Sequence, residues 1–303
     1  MRLVRYLCQK HTCENKECYG FLVADGVVCL HSLAKVFNTE FPSMFKDFIA
    51  SGPSAVEKAE QLIEKASKKD MTNASLPVNH VTLLAPIAFP PKIICLGMNY
   101  QDHVSETRGQ IPDEPVIFMK PHTTIIGPNE KIIKPSFVKK LDYEAELAIV
   151  IGRKAKNIPV SEAASCIFGY TILNDVSARD IQFKDKQWTR GKGFDTFAPI
   201  GPCITTTNQL RDVSDLSIRT WVNDELRQDS TTKNMIFNVY EIVHQLSRVM
   251  TLEPCDVITT GTPAGVGFAM KPHPKFLQAG DTVRIEIEKI GVLENTIVEQ
   301  VLQ

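Results

Sequence analysis

Residues 141–152 read LDYEAELAIVIG, and this stretch indicates both the fold class and the chemistry of the chain. Glu144 and Glu146 lie at the head of a strongly apolar run with the length and composition of a β-strand. On a strand, residues i and i+2 point to the same face about 7 Å apart, so both carboxylates can converge on one point. An exposed strand face would carry the same pair, so the pair needs a second observation.

A second apolar strand supplies that observation, because residues 170–173 lead directly into Asn174 and Asp175. Like charges held close together in an apolar setting repel, and a hard divalent cation with oxygen ligands relieves the repulsion. We therefore predict that Glu144, Glu146 and Asp175 bind Mg²⁺, with water and substrate at the remaining positions. Ca²⁺ or Mn²⁺ would fit the same ligands.

The composition describes an ordinary globular protein. Among 303 residues, 34 Lys and Arg balance 35 Asp and Glu, and a hydrophobic content of 43% suffices for a sizeable core. No apolar run approaches the roughly 18 to 20 residues that span a bilayer. The N-terminus has neither the apolar core nor the cleavage site of a secretory signal. We expect no nucleic-acid partner, no membrane span and no secretion.

The eight cysteines show no paired framework. We predict reduced thiols at Cys95, Cys166, Cys203 and Cys255, as in a cytosolic or matrix protein. A cluster near the N-terminus raises the alternative of a zinc site, but its spacings lack the CxxC knuckle, which favours loop thiols. That cluster comprises Cys8, His11, Cys13 and Cys18.

Residues 1–85 are predicted to form a small α+β domain. Its strands lie near residues 3–7 and 19–23, and apolar helical spacing with Ser54 and Glu57 in capping-box positions predicts one helix. The polar stretch 68–80 breaks that pattern, and prolines 86, 90 and 91 mark a change of composition. We place the domain boundary near residue 85.

Residues 86–303 are predicted to form a β-rich catalytic domain. A helix is indicated near 238–250 and a shorter one after Ser161. The strands do not alternate regularly with helices, so the fold class is α+β, with a mixed β-sandwich or β-roll. The strand-like runs are residues 92–96, 116–118, 144–151, 170–174, 218–222, 257–259 and 282–287.

Five segments occur together in a specific order, and on them residues 84–303 resemble the fumarylacetoacetate hydrolase superfamily. They are LGMNYQDH at 96–103, YEAE at 143–146, NDVSARD at 174–180, GKGFDT at 191–196 and TGTPAGVG at 260–267. The resemblance implies a β-roll catalytic domain, a homodimer and Mg²⁺ on the three carboxylates. It also implies a small-molecule substrate, a 2-oxo acid or 1,3-dicarbonyl compound, whose two oxygens chelate the metal.

The resemblance also assigns roles beyond the metal ligands. Lys192 would supply positive charge or a proton to a developing enolate, while His103 with Glu106 would form an acid/base dyad on a lid. Arg179, Gln182, Lys192 and Thr262 would contact substrate. From the residues alone, Lys192 and Arg179 could instead be surface cations or ion-pair partners of Asp180 or Asp195. His103 could be an exposed loop residue.

The reaction is left open by the resemblance, since members hydrolyse C–C bonds, decarboxylate oxaloacetate or tautomerise it. We place oxaloacetate enol–keto tautomerase first, because Met98 stands where the acylpyruvate-hydrolysing branch tends to have arginine. Acylpyruvate hydrolase or oxaloacetate decarboxylase is the alternative, and a catalytically silent metabolite-binding protein is the third hypothesis. The expected compartment is the mitochondrial matrix or the cytosol.

Overall fold

The structure is a computed structural model that describes residues 1–8, 17–185 and 187–301. His11 and Cys13 of the N-terminal cysteine–histidine cluster lie outside these residues, so the zinc alternative is not addressed. The four cysteines predicted to be reduced, Cys95, Cys166, Cys203 and Cys255, are buried free thiols.

Nineteen strands are formed by the described residues. They are β1 Arg2–Cys8, β2 Glu17–Val23, β3 Gly26–Cys29, β4 Ser75–Pro77, β5 Val81–Leu84, β6 Ile93–Gly97, β7 Val116–Lys120, β8 Ile125–Ile126, β9 Lys131–Lys134, β10 Leu141–Asp142, β11 Ala145–Ile151, β12 Ile167–Asn174, β13 Ser177–Ala178, β14 Ala198–Thr206, β15 Ser217–Val222, β16 Glu225–Thr231, β17 Val257–Thr259, β18 Thr282–Ile287 and β19 Gly291–Glu299. All seven strand-like runs noted in the catalytic region coincide with strands.

The α-helices of the described chain are fewer than its strands. They are α1 Leu30–Val36, α2 Phe45–Ala50, α3 Pro53–Lys65, α4 Lys68–Ala74, α5 Gln101–Glu106, α6 Val160–Ala163, α7 Arg179–Asp185, α8 Trp188–Lys192 and α9 Val239–Val249. Among the helices described, none is long and apolar enough to cross a membrane.

The strands form one large mixed sheet and one smaller sheet. The large sheet has twelve strands in the order β4-β3-β2-β1-β14-β12-β11-β17-β6-β7, with β5 paired to β1 and β8 to β14. The smaller sheet runs β16-β15-β18-β19-β9, and β10 pairs only with β13. Most pairs are antiparallel, while β17–β6, β14–β8 and β19–β9 are parallel. The predicted β-rich α+β class is confirmed.

Strand β11 lies between two hydrophobic cores, and its sequence explains why. Successive side chains on a strand point to opposite faces, and every residue of β11 is buried. Leu147, Ile149 and Ile151 face the core that also contains the apolar side of α9. Ala148 and Val150 face the core shared with the N-terminal segment. An apolar run without polar alternation is therefore what this central position requires.

Two helix predictions in the N-terminal segment need correction. Helix α3 begins at Pro53 after Gly52, whose φ is +68°, and Ser54 forms no capping box. The apolar spacing was sufficient to find the helix, whereas proline at the first position determines where it starts. The polar stretch 68–80, which was predicted to interrupt the helical pattern, contains the next helix, α4. At its start, Ser67 and Asp70 do form a capping box. By contrast, α9 starts after Asn238 with a capping box to Glu241, as its position in the sequence indicated.

The N-terminal segment shares the large sheet with the rest of the chain. Strand β1 pairs with β14 through Leu3↔Ile204, and β5 pairs with β1 through Tyr6↔Leu83. The sheet therefore runs from residues before position 85 into residues after it without interruption. The predicted domain boundary near residue 85 stays a prediction.

Candidate active site

The pairing of β11 with β12 brings the three predicted carboxylates together. Ala145 lies opposite Asn174, so Glu144 and Asp175 fall at the same end of the two strands. The Asp175 N–H donates to Glu144 O at 2.9 Å, and the Glu144 N–H donates to Asn174 Oδ1 at 3.1 Å. One carboxylate oxygen each from Glu144, Glu146 and Asp175 lies within 4.8 Å of the others. All three side chains are buried.

Two buried lysines neutralise most of this charge. Lys192 Nζ lies 2.7 Å from both Glu144 Oε2 and Asp175 Oδ2. Lys120 Nζ lies 2.5 Å from Asp175 Oδ1 and donates to Val176 O at 3.3 Å. Each Asp175 oxygen therefore faces its own ammonium group, which fixes the orientation of the carboxylate.

Glu146 is the exception among the three carboxylates. Its Oε2 accepts a hydrogen bond from the Gly261 N–H at 2.8 Å, but its buried Oε1 has no partner among the described residues. Burial, and then the charges of Asp175 and Glu144, raise the pKa of Glu146 well above its ordinary value. A buried carboxylate oxygen without a partner is costly, and an all-oxygen set of three ligands suits a hard divalent cation. The residues present therefore fit a metal site.

Arg179 lies beside the carboxylates, and each nitrogen of its guanidinium group lies close to an oxygen of a neighbouring side chain. Its Nε donates to Asp142 Oδ2 at 2.9 Å, its Nη1 donates to Gln182 Oε1 at 3.0 Å, and its Nη2 lies 2.7 Å from Glu144 Oε1. The guanidinium also stacks 4.4 Å from the ring centre of Phe268. The ion-pair partners are thus Asp142 and Glu144, and neither aspartate considered from the sequence takes that place.

Asp142 connects Arg179 to the glycine-rich loop. Its Oδ1 accepts from the Gly267 N–H at 2.8 Å and its Oδ2 accepts from the Phe268 N–H at 3.1 Å. The carboxylate is fully buried. One side chain therefore holds Arg179 and the turn that carries the Phe268 ring in a single arrangement.

His103 and Glu106 form the predicted dyad. His103 Nδ1 lies 2.8 Å from Glu106 Oε1, and Glu106 Oε2 accepts from the Gly265 N–H at 3.0 Å. Gly265 has a φ of +99°, and a Cβ there would lie 2.1 Å from Arg227 O, so this close approach requires glycine. His103 is buried at the pocket wall and is not an exposed loop residue.

The helix that carries the dyad is docked on the catalytic region. At the start of α5, Asp102 Oδ2 accepts from Ser230 Oγ at 2.6 Å and from Asn234 Nδ2 at 3.3 Å. These contacts anchor the start of α5 to Ser230 of β16 and to Asn234.

These groups surround one cavity of about 300 Å³. Six of the nine predicted site residues line it, and Glu106, Glu146 and Asp175 do not. Asp175 contacts the lining residue Lys192, and Glu106 contacts the lining residue His103. Apolar side chains form the remaining walls. The lining residues are Leu96, Gly97, Met98, His103, Thr107, Gly109, Phe118, Glu144, Arg179, Gln182, Phe183, Trp188, Lys192, Thr262 and Phe268.

Sequence reasoning missed two charged residues of this site. Asp142 stands two residues before Glu144, so Asp142, Glu144 and Glu146 form an i, i+2, i+4 series whose first member was not considered. Lys120 ends the apolar strand β7 and is buried. The signal available in the sequence was a single charged residue at the end of an apolar run. Its pairing with Asp175 joins residues 55 positions apart, which no local pattern reveals.

Comparison with known proteins identifies the family. The family model for the fumarylacetoacetate (FAA) hydrolase C-terminal domain matches residues 92–298, which contain every predicted site residue. The chain belongs to the fumarylacetoacetate hydrolase superfamily. It is thus an enzyme of that superfamily.

Two relatives in sequence are informative. A fumarylacetoacetate hydrolase domain-containing protein 2 homolog of Dictyostelium discoideum is 40% identical over 98% of this chain and 97% of the relative. A protein of Xenopus laevis named as a mitochondrial oxaloacetate tautomerase is 43% identical over 86% of this chain and 81% of the relative.

Solved structures of the superfamily share the fold. Fumarylacetoacetate hydrolase from psychrophilic Exiguobacterium antarcticum matches with a TM-score of 0.81 and 35% identity over 99% of this chain and all of that chain. Maleylpyruvate hydrolase from Sphingobium sp. SYK-6, solved with manganese(II) and pyruvate, matches with a TM-score of 0.78 and 28% identity over the same shares.

Proposed function

We propose that this chain is a Mg²⁺-dependent oxaloacetate enol–keto tautomerase. The observation that carries the proposal is the Oε1 of Glu146, which has no partner among the described residues. It belongs to a buried triad of carboxylates whose member Glu144 lines a pocket together with His103 of the histidine–glutamate dyad. The Xenopus laevis relative named as an oxaloacetate tautomerase supports the choice of reaction.

Glu144, Glu146 and Asp175 would hold the metal ion. When bound, a divalent cation acts as a Lewis acid that stabilises negative charge on the oxygens of a 2-oxo acid. Glu144 and Asp175 would hold it with Lys192 beside them, since Lys192 Nζ lies 2.7 Å from both carboxylates. Mn²⁺ and Ca²⁺ accept the same donors.

His103 is the group that moves the proton. A carboxylate at Glu106 only accepts hydrogen bonds, so Nδ1 carries the hydrogen and Nε2 remains for the pocket. In ketonisation the enol oxygen loses its proton and the neighbouring carbon gains one, with no change in heavy atoms. A single base of this kind, which takes the first proton and returns one, is sufficient, and no attacking water is required.

Lys192 acts as a fixed positive charge beside the reacting oxygens. Burial alone would lower the pKa of Lys192, but Asp175 and Glu144 outweigh that effect and raise the pKa above its ordinary value. The ammonium group therefore stays protonated and stabilises an enolate electrostatically. Lys192 was considered as a source of positive charge or of a proton for the enolate, and this arrangement favours positive charge.

C–C bond hydrolysis is the second candidate function. The match to the maleylpyruvate hydrolase structure supports it, since that protein was solved with manganese(II) and pyruvate. Hydrolysis would use the same dyad to activate water, and the products would include a free 2-oxo acid. Decarboxylation of oxaloacetate would also yield pyruvate, so pyruvate release separates both alternatives from tautomerisation.

The test is an assay panel of oxaloacetate and acylpyruvates, with and without Mg²⁺, that follows enol absorbance and pyruvate together. We expect Mg²⁺-dependent loss of the enol signal without pyruvate, and a decrease in rate of about a hundredfold in His103→Ala and Glu106→Gln. The exposed His273 offers a matched control, and His273→Ala should keep the full rate.

Each other outcome of the panel has a meaning. Pyruvate formation that depends on His103 would replace the tautomerase proposal with a hydrolase or a decarboxylase. Stabilisation by oxalate and Mg²⁺ without turnover of any substrate would support a catalytically silent metabolite-binding protein. A full tautomerase rate in both dyad variants would reject the role of His103.

The homodimer and the compartment are further proposals. The superfamily resemblance supports a dimer, and light scattering of the purified chain would show a mass of about 34 kDa if it is wrong. The mitochondrial relatives support the matrix, with the cytosol as the alternative. Imaging of the full-length protein in its own cells would decide between them.

A further inference from the structure

Gln228, on strand β16, uses every hydrogen-bonding position of its side-chain amide. Its Oε1 accepts from the Ala145 N–H at 3.1 Å and from Thr220 Oγ1 at 2.8 Å. Its Nε2 donates to Thr262 Oγ1 at 2.8 Å and to Pro263 O at 2.9 Å. The side chain is completely buried. A buried amide with four partners is held rigidly, because losing any partner leaves a polar atom unsatisfied.

The orientation of this amide follows from its backbone partners. The Ala145 N–H can only donate, so the atom that faces it must be the amide oxygen. The Pro263 carbonyl can only accept, so the atom that faces it must be the amide nitrogen. A flipped amide would break both contacts. The bond to Thr262 therefore has one possible direction, with Gln228 as the donor.

This direction determines what Thr262 offers to the pocket. Its oxygen accepts from Gln228, and among the described residues no acceptor takes the hydroxyl proton of Thr262. The side chain lines the cavity. We propose that Gln228 is a positioning residue. Because the Thr262 hydroxyl accepts from Gln228, it donates its own proton to the ligand, and the ligand must present an acceptor there, such as a carboxylate or enolate oxygen. A ligand ammonium group at that point has only donors, so it would find the Thr262 proton directed at one of its own protons.

The same side chain also ties this donor to the carboxylate site. Ala145 lies between Glu144 and Glu146, and its N–H is held by Gln228. A ligand that bridges the carboxylates and Thr262 therefore meets a fixed spacing. The inference rests on the proposed function only in taking Glu144, Glu146 and Asp175 as the metal ligands.

The test is the binding of oxalate in the presence of Mg²⁺, measured by calorimetry, with Mg²⁺ binding alone measured in parallel. We expect Thr262→Val and Gln228→Met each to weaken oxalate binding by roughly tenfold to a hundredfold, the range for hydrogen bonds to charged groups. The double variant should bind no more weakly than Thr262→Val, because Gln228 acts through Thr262. Thr262→Ser keeps the hydroxyl and should retain most of the affinity.

Thr220→Val is the matched control. Thr220 is equally buried and bonds the same amide on its oxygen side, so this variant removes one hydrogen bond of Gln228 without touching Thr262. We expect oxalate affinity within about twofold of the parent protein. A larger loss would show that any disturbance of the amide weakens binding, and would overturn the inference.

The remaining outcomes separate this inference from the proposed function. Losses that multiply in the double variant, or a loss of Mg²⁺ binding in Gln228→Met alone, would overturn the positioning role, and neither result would contradict the assignment of the three carboxylates as metal ligands. Failure of the parent protein to bind oxalate with Mg²⁺ would overturn the proposed metal site and this inference with it. Oxalate binding with the expected coupling but without tautomerase turnover would support the inference and reject the reaction.

Discussion

The N-terminal aromatic core and the carboxylate site are both buried, but the first consists of aromatic rings and the second of charged side chains. In the first, the ring of Tyr19 lies 5.2 Å from that of Phe45 and 5.4 Å from that of Phe48, and Phe48 reaches the ring of Phe168 on β12. In the second, two of the three carboxylates pair with two lysines, and one oxygen of the third has no partner among the described residues. Burial is the only property that the two regions have in common.

The difference shows which region stabilises the fold and which performs chemistry. Burying rings is favourable in itself, by roughly 1.5 to 3 kcal/mol for each fully buried large side chain. Burying charges carries a desolvation cost that their mutual attraction offsets only in good geometry. A charged cluster at the centre of a sheet therefore indicates function, because apolar residues would fill the same space at lower cost.

The largest effect that tests this contrast is expected for Asp175→Ala. This change removes one proposed metal ligand and leaves Lys120 and Lys192 facing each other, so kcat/KM for enol ketonisation should fall by at least about a thousandfold. Steady-state kinetics with Mg²⁺ measure the loss, and circular dichroism checks the fold. A folded variant with a rate near that of the parent protein would mean that Asp175 does not serve the reaction.

Phe48→Ala should show the opposite behaviour. Removing this ring opens a cavity among Tyr19, Phe45 and Phe168 and should lower the free energy of unfolding by about 3 to 5 kcal/mol, with kcat and KM within about twofold of the parent protein. Urea denaturation and kinetics measure both. The control is Phe89→Ala, since Phe89 is 79% exposed and should contribute little. If activity fell in proportion to stability, the two regions would not be separable.

The pH dependence of stability should sharpen the contrast further. The raised pKa of Glu146 lets the folded protein keep a proton that the unfolded chain releases near the ordinary value of 4.5. The folded state then binds more protons, so without metal the free energy of unfolding should decrease as pH rises above that value. Glu146→Gln removes this contribution, and urea titrations in a chelator from pH 5 to pH 8 compare the slopes. Equal slopes would contradict the raised pKa.

The smallest effect is expected at the surface of the N-terminal segment. Ser67→Ala should lower the free energy of unfolding by about 1 kcal/mol, because Ser67 caps α4. Ser54→Ala is the matched control, since the Ser54 hydroxyl donates only to Ser51 O and caps nothing. Thermal unfolding of the two variants compares them, and a greater loss in Ser54→Ala would restore the capping position first predicted from the sequence.

Local periodicity was sufficient for the parts of the site that lie on single strands. Glu144 and Glu146 share a face because they are two residues apart, and Asp175 was found because it ends an apolar run. The β-rich class followed from the same runs. Where a pattern repeats at the period of the element, the sequence alone determines which face is buried.

Contacts between distant parts of the chain could not be predicted in this way. Lys120 meets Asp175 across the large sheet, whereas Gln228 of the smaller sheet meets Ala145 of the large sheet, and both pairs depend on how distant strands are arranged. The start of α3 was misplaced for a different reason, since several residues before a helix satisfy the capping pattern and tertiary packing selects one. Long-range partners and element ends therefore need coordinates.

The place of β14 in the large sheet limits how this protein can be divided. It lies between β1 and β12, and all nine of its residues are buried. Without β1, the part of β14 that pairs with it, at Ile204 and Thr205, would become an uncovered apolar edge of the kind that recruits other chains into aggregates. An engineered fragment that lacks the first strands would therefore need a replacement cover for that edge.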